Sequence, residues 1–356
     1  MNEADKTKSN TNKIGTNITG ANTTGINTGG ISTTGINTTG INTTGINTTG
    51  TNTSDANRID TKGSHPDRKT GHRRAKSSYA KDAWKLFRRN KSAMIGLVIL
   101  AVFLFFALFA DLIVPYRLAI TQNPADRLLP PSTAHFFGTD EFGRDMFARV
   151  IHGSRRSLAL GVGTTAVSLV IGGFIGACCG IYGSRFDNIV MRICDILNCI
   201  PALLFALAVV AALGSSMLNL IIAVTVISVP GFIRIVRSVI LTIAEQEYIM
   251  AARACGTTRM AIIRRHIIPN AMGPIIVQAS MSVAAMMLTA AGLSFIGMGV
   301  QPPTPEWGVM LSTAREYMKN APYLLLFPGI SIALCALSLN LVGDGLRDAL
   351  DPRLRQ

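Results

Sequence analysis

Six stretches of the chain stay apolar long enough to cross, or nearly cross, a bilayer core of about 30 Å at about 1.5 Å of helix per residue, with polar, Gly/Pro-rich or basic connections between them. The first covers residues 93–114, carries Asp111 near its end and is stopped by Pro115. The second, 157–180, holds Gly161, Gly163, Gly172, Gly173, Gly176 and Gly180, small residues of the kind that let membrane helices approach closely. The third, 193–213, has Asp195 near one end and Pro201 as a kink site. The fourth, 218–233, is short and is interrupted by Pro230 and Gly231 ahead of Arg234 and Arg237. The fifth and sixth run over 271–297 and 323–342. The expected fold class is therefore an all-α integral membrane protein with six transmembrane helices.

Basic residues orient that bundle. Arg73, Arg74, Lys76, Lys81, Lys85, Arg88, Arg89 and Lys91 crowd ahead of the first span. Arg185 and Arg192 follow the second, and six arginines lie over 234–266. Positive charge collects on the cytoplasmic side of membrane proteins, so this pattern puts the N and C termini in the cytoplasm. Without the short fourth span, the basic 234–266 loop would fall outside. The expected division is a tail at 1–78, the first transmembrane helix with an outer loop at 79–150, a core domain with five transmembrane helices at 151–348, and a cytoplasmic tail at 349–356.

Composition agrees with the spans. Of 356 residues, 48% are hydrophobic and only 15% charged, against about a quarter charged in soluble proteins. The net charge of +14 is spent beside the spans rather than along one soluble face, so no nucleic-acid partner is expected. From about Thr23 to Thr51 a five-residue unit close to Ile-Asn-Thr-Thr-Gly recurs. One Ile per unit buries too little to offset the ordering of the chain, so the tail is expected to be disordered, with partner binding or regulation as its alternative use. No apolar core follows its start, so it does not read as a signal peptide. The six cysteines show no CxxC pairing and the five histidines no HExxH. Neither metal nor cofactor is expected.

The loop EQEYIMAARACGTTRMAIIRRHIIPN, 245–270, has its own period. Ile249, Ala252, Gly256, Met260, Ile263 and Ile267 fall three or four residues apart, one helical face, while Arg253, Arg259, Arg264 and Arg265 lie elsewhere. Gly256 is placed to break or closely pack the helix, and Pro269 to open the next segment. Two readings stand on physics alone. One is a low-bulk helix centred on Ala251 and Ala252 that docks in a groove of another protein, and the other is an amphipathic connector lying on lipid.

The AAxxxG pattern at Ala251, Ala252 and Gly256, closed by Pro269, resembles the "EAA" loop of binding-protein-dependent ABC importer permeases. The segments HFFGTDEFGRDMFARVIHGSRRSL (135–158), LSFIGMGVQPPTPEWGVML (293–311) and SLNLVGDGLRDALDPRLR (338–355) resemble the second permease subunit of its dipeptide/oligopeptide branch, over roughly residues 80–356. The resemblance implies a bacterial inner-membrane subunit that imports peptides, pairs with a homologous second permease as a heterodimer, and receives solute from a periplasmic or lipid-anchored binding protein. It also implies two cytoplasmic ATPase subunits that grip the loop, so that Glu247, Ala251, Ala252, Arg253, Gly256, Arg259 and Pro269 form the ATPase-coupling loop. Met250 stands where the family usually has Glu. No GxxxxGK[ST] phosphate loop occurs, so ATP is expected to be hydrolysed by the partners and the chain itself not to be an enzyme. Nickel or another small solute is the alternative cargo within the family.

An ion-coupled secondary transporter is the rival class, and it needs charged groups at mid-membrane. Asp195 and Asp344 instead lie near span ends, with Arg192 and Arg347 close by as expected partners. Gly138, Asp140, Gly143, Arg144 and Asp145 read as a tight turn with a capping residue entering a helix. Pro302, Pro303 and Pro305 read as an extended outer loop, with Trp307 anchoring it at the membrane interface.

Overall fold

The computed structural model describes residues 79–350; the repeat-bearing tail, and with it the expectation of disorder, lies outside the described residues. Helix α1 (Tyr79–Arg89) leads into α2 (Lys91–Ile113), and α3 (Tyr116–Ile120) follows in the first long connection. Then come α4 (Met146–Tyr182), α5 (Ser184–Cys199), α6 (Ala202–Leu213) and α7 (Met217–Ala244). The remainder is α8 (Glu247–Ala254), α9 (Arg259–Ile262), α10 (Ile268–Phe295), α11 (Trp307–Ala314) and α12 (Tyr323–Leu350). Among the described residues no strand forms, only an isolated bridge between Thr139 and Asp145.

Among the described residues, five helices are long and apolar enough to cross a membrane: α2, α4, α7, the run Arg259–Phe295 and α12. A sixth crossing exists if α5 and α6 are taken as one span, bent by 89°. The third span is therefore broken rather than kinked. Pro201 has no N–H to continue the helix and pushes Ile200 into extended backbone (φ −88°, ψ 128°). The fourth span deviates the other way: α7 runs through Pro230 to Ala244, so Arg234 and Arg237 sit on a helix and not in a loop. Their guanidiniums reach α5, where Arg234 pairs with Asp195 at 2.9 Å and Arg237 with Asp187. The partner of Asp195 is thus Arg234, not Arg192.

Packing explains why α7 is continuous. Gly172, Gly176 and Gly180 of α4 form a ridge without side chains, and a Cβ at any of them would stand 2.6–2.8 Å from Phe232, Ile233 or Ile240 of α7. Backbone-to-backbone approach of this sort holds membrane helices together where water supplies no hydrophobic drive. Gly161 meets Met287 of α10 in the same way, and Gly345 of α12 meets Ala93 of α2. Asn90, Asp145 and Ser216 cap α2, α4 and α7, their side chains accepting from the N–H of Ala93, Ala148 and Asn219.

The end of the bundle where α4 starts is closed by a buried polar knot. Asp140 accepts from Arg144 Nε at 2.6 Å and lies 3.3 Å from Arg149 Nε, all three side chains being buried. Arg149 also donates to the carbonyls of Ala119 (3.0 Å) and Pro303 (3.4 Å), tying both long connections to α4. Trp307 is no interface anchor. It is fully buried, donates from Nε1 to the Val150 carbonyl at 2.9 Å and meets Phe103 edge-on. Beside it the buried Glu306 caps α11, accepting from the N–H of Gly308 (2.8 Å) and Val309 (2.9 Å) and from the Ser157 hydroxyl (3.2 Å). Loss of water pushes the Glu306 carboxyl above its usual 4.5, against the lowering by those two amides.

Candidate functional site

At the opposite end of the bundle, where α4 and α7 finish and the Arg259–Phe295 run begins, the 245–270 loop folds as two pieces. Helix α8 ends where the Thr257 N–H reaches back to the Ala252 carbonyl at 3.1 Å and the Gly256 N–H to that of Arg253 at 3.0 Å. The chain turns there through Gly256 at φ +77°, the left-handed position that closes helices and that glycine adopts without strain. Nothing lies within 4 Å of the space a Gly256 side chain would occupy. Of the two roles open to Gly256, breaking the helix is the one observed.

The single helical face expected over the loop is accordingly divided. Ile249 on α8 is fully buried against Val236, Ile240 and Ile243 of α7 and against Ile262, Ile263, Ile267 and Ala271. Ala252 packs partly against that cluster, Gly256 is exposed, and Met260 points outward at 65% exposure while Ile262 takes the inner place. A turn between two helices shifts the angular phase, so the period read straight through it misplaces Met260, while Ile263 and Ile267 fall on the buried side as expected. After α9 the helix continues through a π turn at Ile263–Ile267 into α10, and Pro269 sits in the first turn of α10. Pro269 thus stands at the opening of α10 as expected, with the π turn joined to it without a gap.

Five of the expected site residues stand together. Glu247, Ala251, Ala252, Arg253 and Gly256 line α8 or its end, and all but Ala252 are exposed. Arg259 begins α9 with its guanidinium 6.0 Å from the Tyr182 ring of α4. Pro269 is apart on α10. The loop is pinned by residues the motif did not name. Asn270 donates from Nδ2 to Tyr248 Oη at 3.2 Å and to the His266 carbonyl at 2.7 Å, and Ile249 plugs the isoleucine cluster. The periodicity already contained Ile249, whereas no sequence signal singled out Tyr248. What remains on the surface is a short helix that exposes Ala251 beside Tyr248 and Met250, is edged by charge, and is seated on the ends of two spans. Among the described residues no cluster of metal-ligating side chains forms, and all six cysteines are free, Cys255 in this loop being exposed.

Residues 169–356 match the model of the binding-protein-dependent transport system inner membrane component family, and residues 78–131 match the N-terminal transmembrane domain of oligopeptide transport permease C. The dipeptide transport system permease protein DppC of Alkalihalophilus pseudofirmus is 46% identical over 77% of this chain and 90% of its own. The di/tripeptide permease DppC of Pseudomonas aeruginosa is 41% identical over 77% and 92%. The glutathione permease GsiD of Escherichia coli is 43% identical over 76% and 90%. The MetNI methionine ABC transporter in an inward-facing form gives a TM-score of 0.50 at 19% identity, over 58% of this chain and 98% of the matched one, which speaks to fold alone. The chain belongs to the binding-protein-dependent transport system inner membrane component family: it is a multi-pass inner-membrane permease of an ABC importer, a class that works with an ATPase and a solute-binding protein.

Proposed function

We propose that this permease forms half of the translocation pathway of an ATP-driven importer of di- and oligopeptides, and that α8 is its coupling element. A homologous second permease completes the pathway as a heterodimer. Two cytoplasmic ATPase subunits seat the exposed face of α8, with Ala251, Ala252 and Gly256 allowing close approach and Glu247, Arg253 and Arg259 setting orientation. Pro269 stiffens the entry into α10. Both chain termini lie on the ATPase side, hydrolysis belongs to the ATPases, and a periplasmic or lipid-anchored binding protein delivers solute to the end bearing α11. Short peptides as cargo are supported by the relatives, whose names specify dipeptides, di/tripeptides and glutathione.

The observation that carries the reading is the seating of α8. Its inward residue Ile249 joins a cluster shared by α7 and the start of α10, so a push on α8 moves two spans together, as a rigid two-state switch requires. The test is Ala251→Glu, which adds bulk and charge to an exposed position without touching that cluster. Filling the centre of a docking face costs about 2 kcal/mol, roughly thirtyfold in affinity. The variant is expected to reach the membrane at normal levels and to lose co-purifying ATPase and peptide uptake. Retention of both at wild-type levels overturns the assignment.

A further inference from the structure

The spans do not all present the same kind of face. On α2 the exposed positions include Ile95, Val98, Val102, Leu108 and Leu112, an aliphatic surface that suits lipid. On α7 the exposed positions beyond Ile222 are Gly231, Arg234, Ser238 and Thr242. They fall three or four residues apart, one helical face, and no large apolar side chain is exposed among them. Arg234 stands 17 residues from Met217 and 10 from Ala244, about 25 and 15 Å from the two ends of the helix. A charge that far inside a span turns to water or protein rather than to acyl chains.

Two ion pairs join this helix to α5, and they differ. Arg237 grips both oxygens of Asp187, a carboxylate only 13% exposed, and so clasps α5 to α7. Arg234 donates from Nη2 alone to Asp195 Oδ1 at 2.9 Å, with the two side chains 44% and 54% exposed. Among the described residues this leaves Asp195 Oδ2 and the Arg234 Nε and Nη1 donors without a partner. One turn away, nothing lies within 4 Å of the space a Gly231 side chain would occupy. An exposed pair with a single contact holds weakly, so a ligand that carries both charges can replace it at little cost. A short peptide carries both, as its terminal ammonium and carboxylate. We propose that Gly231, Arg234, Ser238 and Thr242 line the translocation pathway and that Asp195 and Arg234 form a transient subsite for the peptide termini. Asp195 accepts from the ammonium and Arg234 donates to the carboxylate as their own contact opens. This rests on the peptide-import reading above and adds a selectivity exerted by the permease itself, since a solute lacking either charge gains less from the site.

The test uses the complete transporter in proteoliposomes, with its ATPases and binding protein, importing dialanine. Loss of one charged partner for the cargo costs about tenfold. R234Q and D195N are therefore each expected to import about tenfold less peptide per ATP hydrolysed, with the ATPases still bound. The double variant R234Q/D195N separates recognition from structure. It orphans no charge, so a merely structural pair predicts recovery, and the proposal predicts none. In a cysteine-free background, a water-soluble maleimide is expected to label Ser238→Cys during turnover and to leave Val102→Cys on α2 unlabelled. Wild-type coupling in R234Q, or recovery in the double variant, overturns the proposal. So does a Ser238→Cys as inert as Val102→Cys, which marks a face sealed against lipid or the second permease. Each of these results leaves peptide import itself standing, whereas a wild-type complex that imports no dialanine overturns that reading and this proposal with it.

Discussion

Glu306 shows how a single carboxylate holds a loop in place. It is completely buried, accepts from two amides at the start of α11 and from Ser157 on α4, and so links the connection after α10 to the α4 span. Burial raises its pKa above 4.5, and for an acid this sets the sign. The fold favours the protonated form, so the contribution to stability is fully present below about pH 4.5 and is lost as pH rises through the raised pKa. Thermal unfolding of the solubilised complex is expected to show wild type gaining on Glu306→Gln as pH is lowered toward 4.5. Parallel curves across that range contradict the assignment. The sequence made this region legible only as a Pro-rich outer loop with an anchoring Trp. Proline spacing predicts extended backbone, but nothing local in a sequence marks a Trp that reaches Val150 or a Glu that reaches Ser157, because those partners lie some 150 positions away.

Elements were legible where their cause is local. A long aliphatic run dictates a spanning helix, since lipid offers no other partner for the backbone, and five crossings follow directly. The two prolines were not. Pro201 is exposed and has little around it, so its missing hydrogen bond ends the helix. Pro230 is buried in α7 between Val229 and Phe232, both of which meet Gly172 of α4, and packing holds the helix through it. The same contacts separate glycines that composition alone treats alike. Gly176→Leu must push against the Ile233 backbone, 2.6 Å from its Cβ position, whereas Gly173→Leu meets only a Leu169 methyl at 3.8 Å. Overpacking of this kind costs about 1–3 kcal/mol or more. Gly176→Leu is therefore expected to lower the unfolding temperature and the yield of folded protein, with Gly173→Leu close to wild type. Equal behaviour of the two would show that α4 and α7 do not meet along this ridge.

At the scale of the whole molecule the two ends of the bundle are built differently. One is locked by the Asp140–Arg144–Arg149 knot and by Trp307. The other carries α8, joined to the spans through the Ile249 cluster and the Tyr248–Asn270 hydrogen bond and otherwise open to a partner. The small residues of that partner face could be read in the sequence, as AAxxxG. Its three-dimensional form could not, since the turn at Gly256 cuts the helical period in two and only the fold reveals that Met260 faces out. The central claim is that α8 faces the cytoplasm and is covered by the ATPases, and the exposed native Cys255 at its end gives a direct probe. In a variant whose other cysteines are replaced, a membrane-impermeant maleimide is expected to label Cys255 in inside-out vesicles stripped of ATPase and not in right-side-out vesicles. Adding the ATPases back is expected to protect it. Labelling from the outer face, or labelling at an unchanged rate with the ATPases bound, contradicts the account.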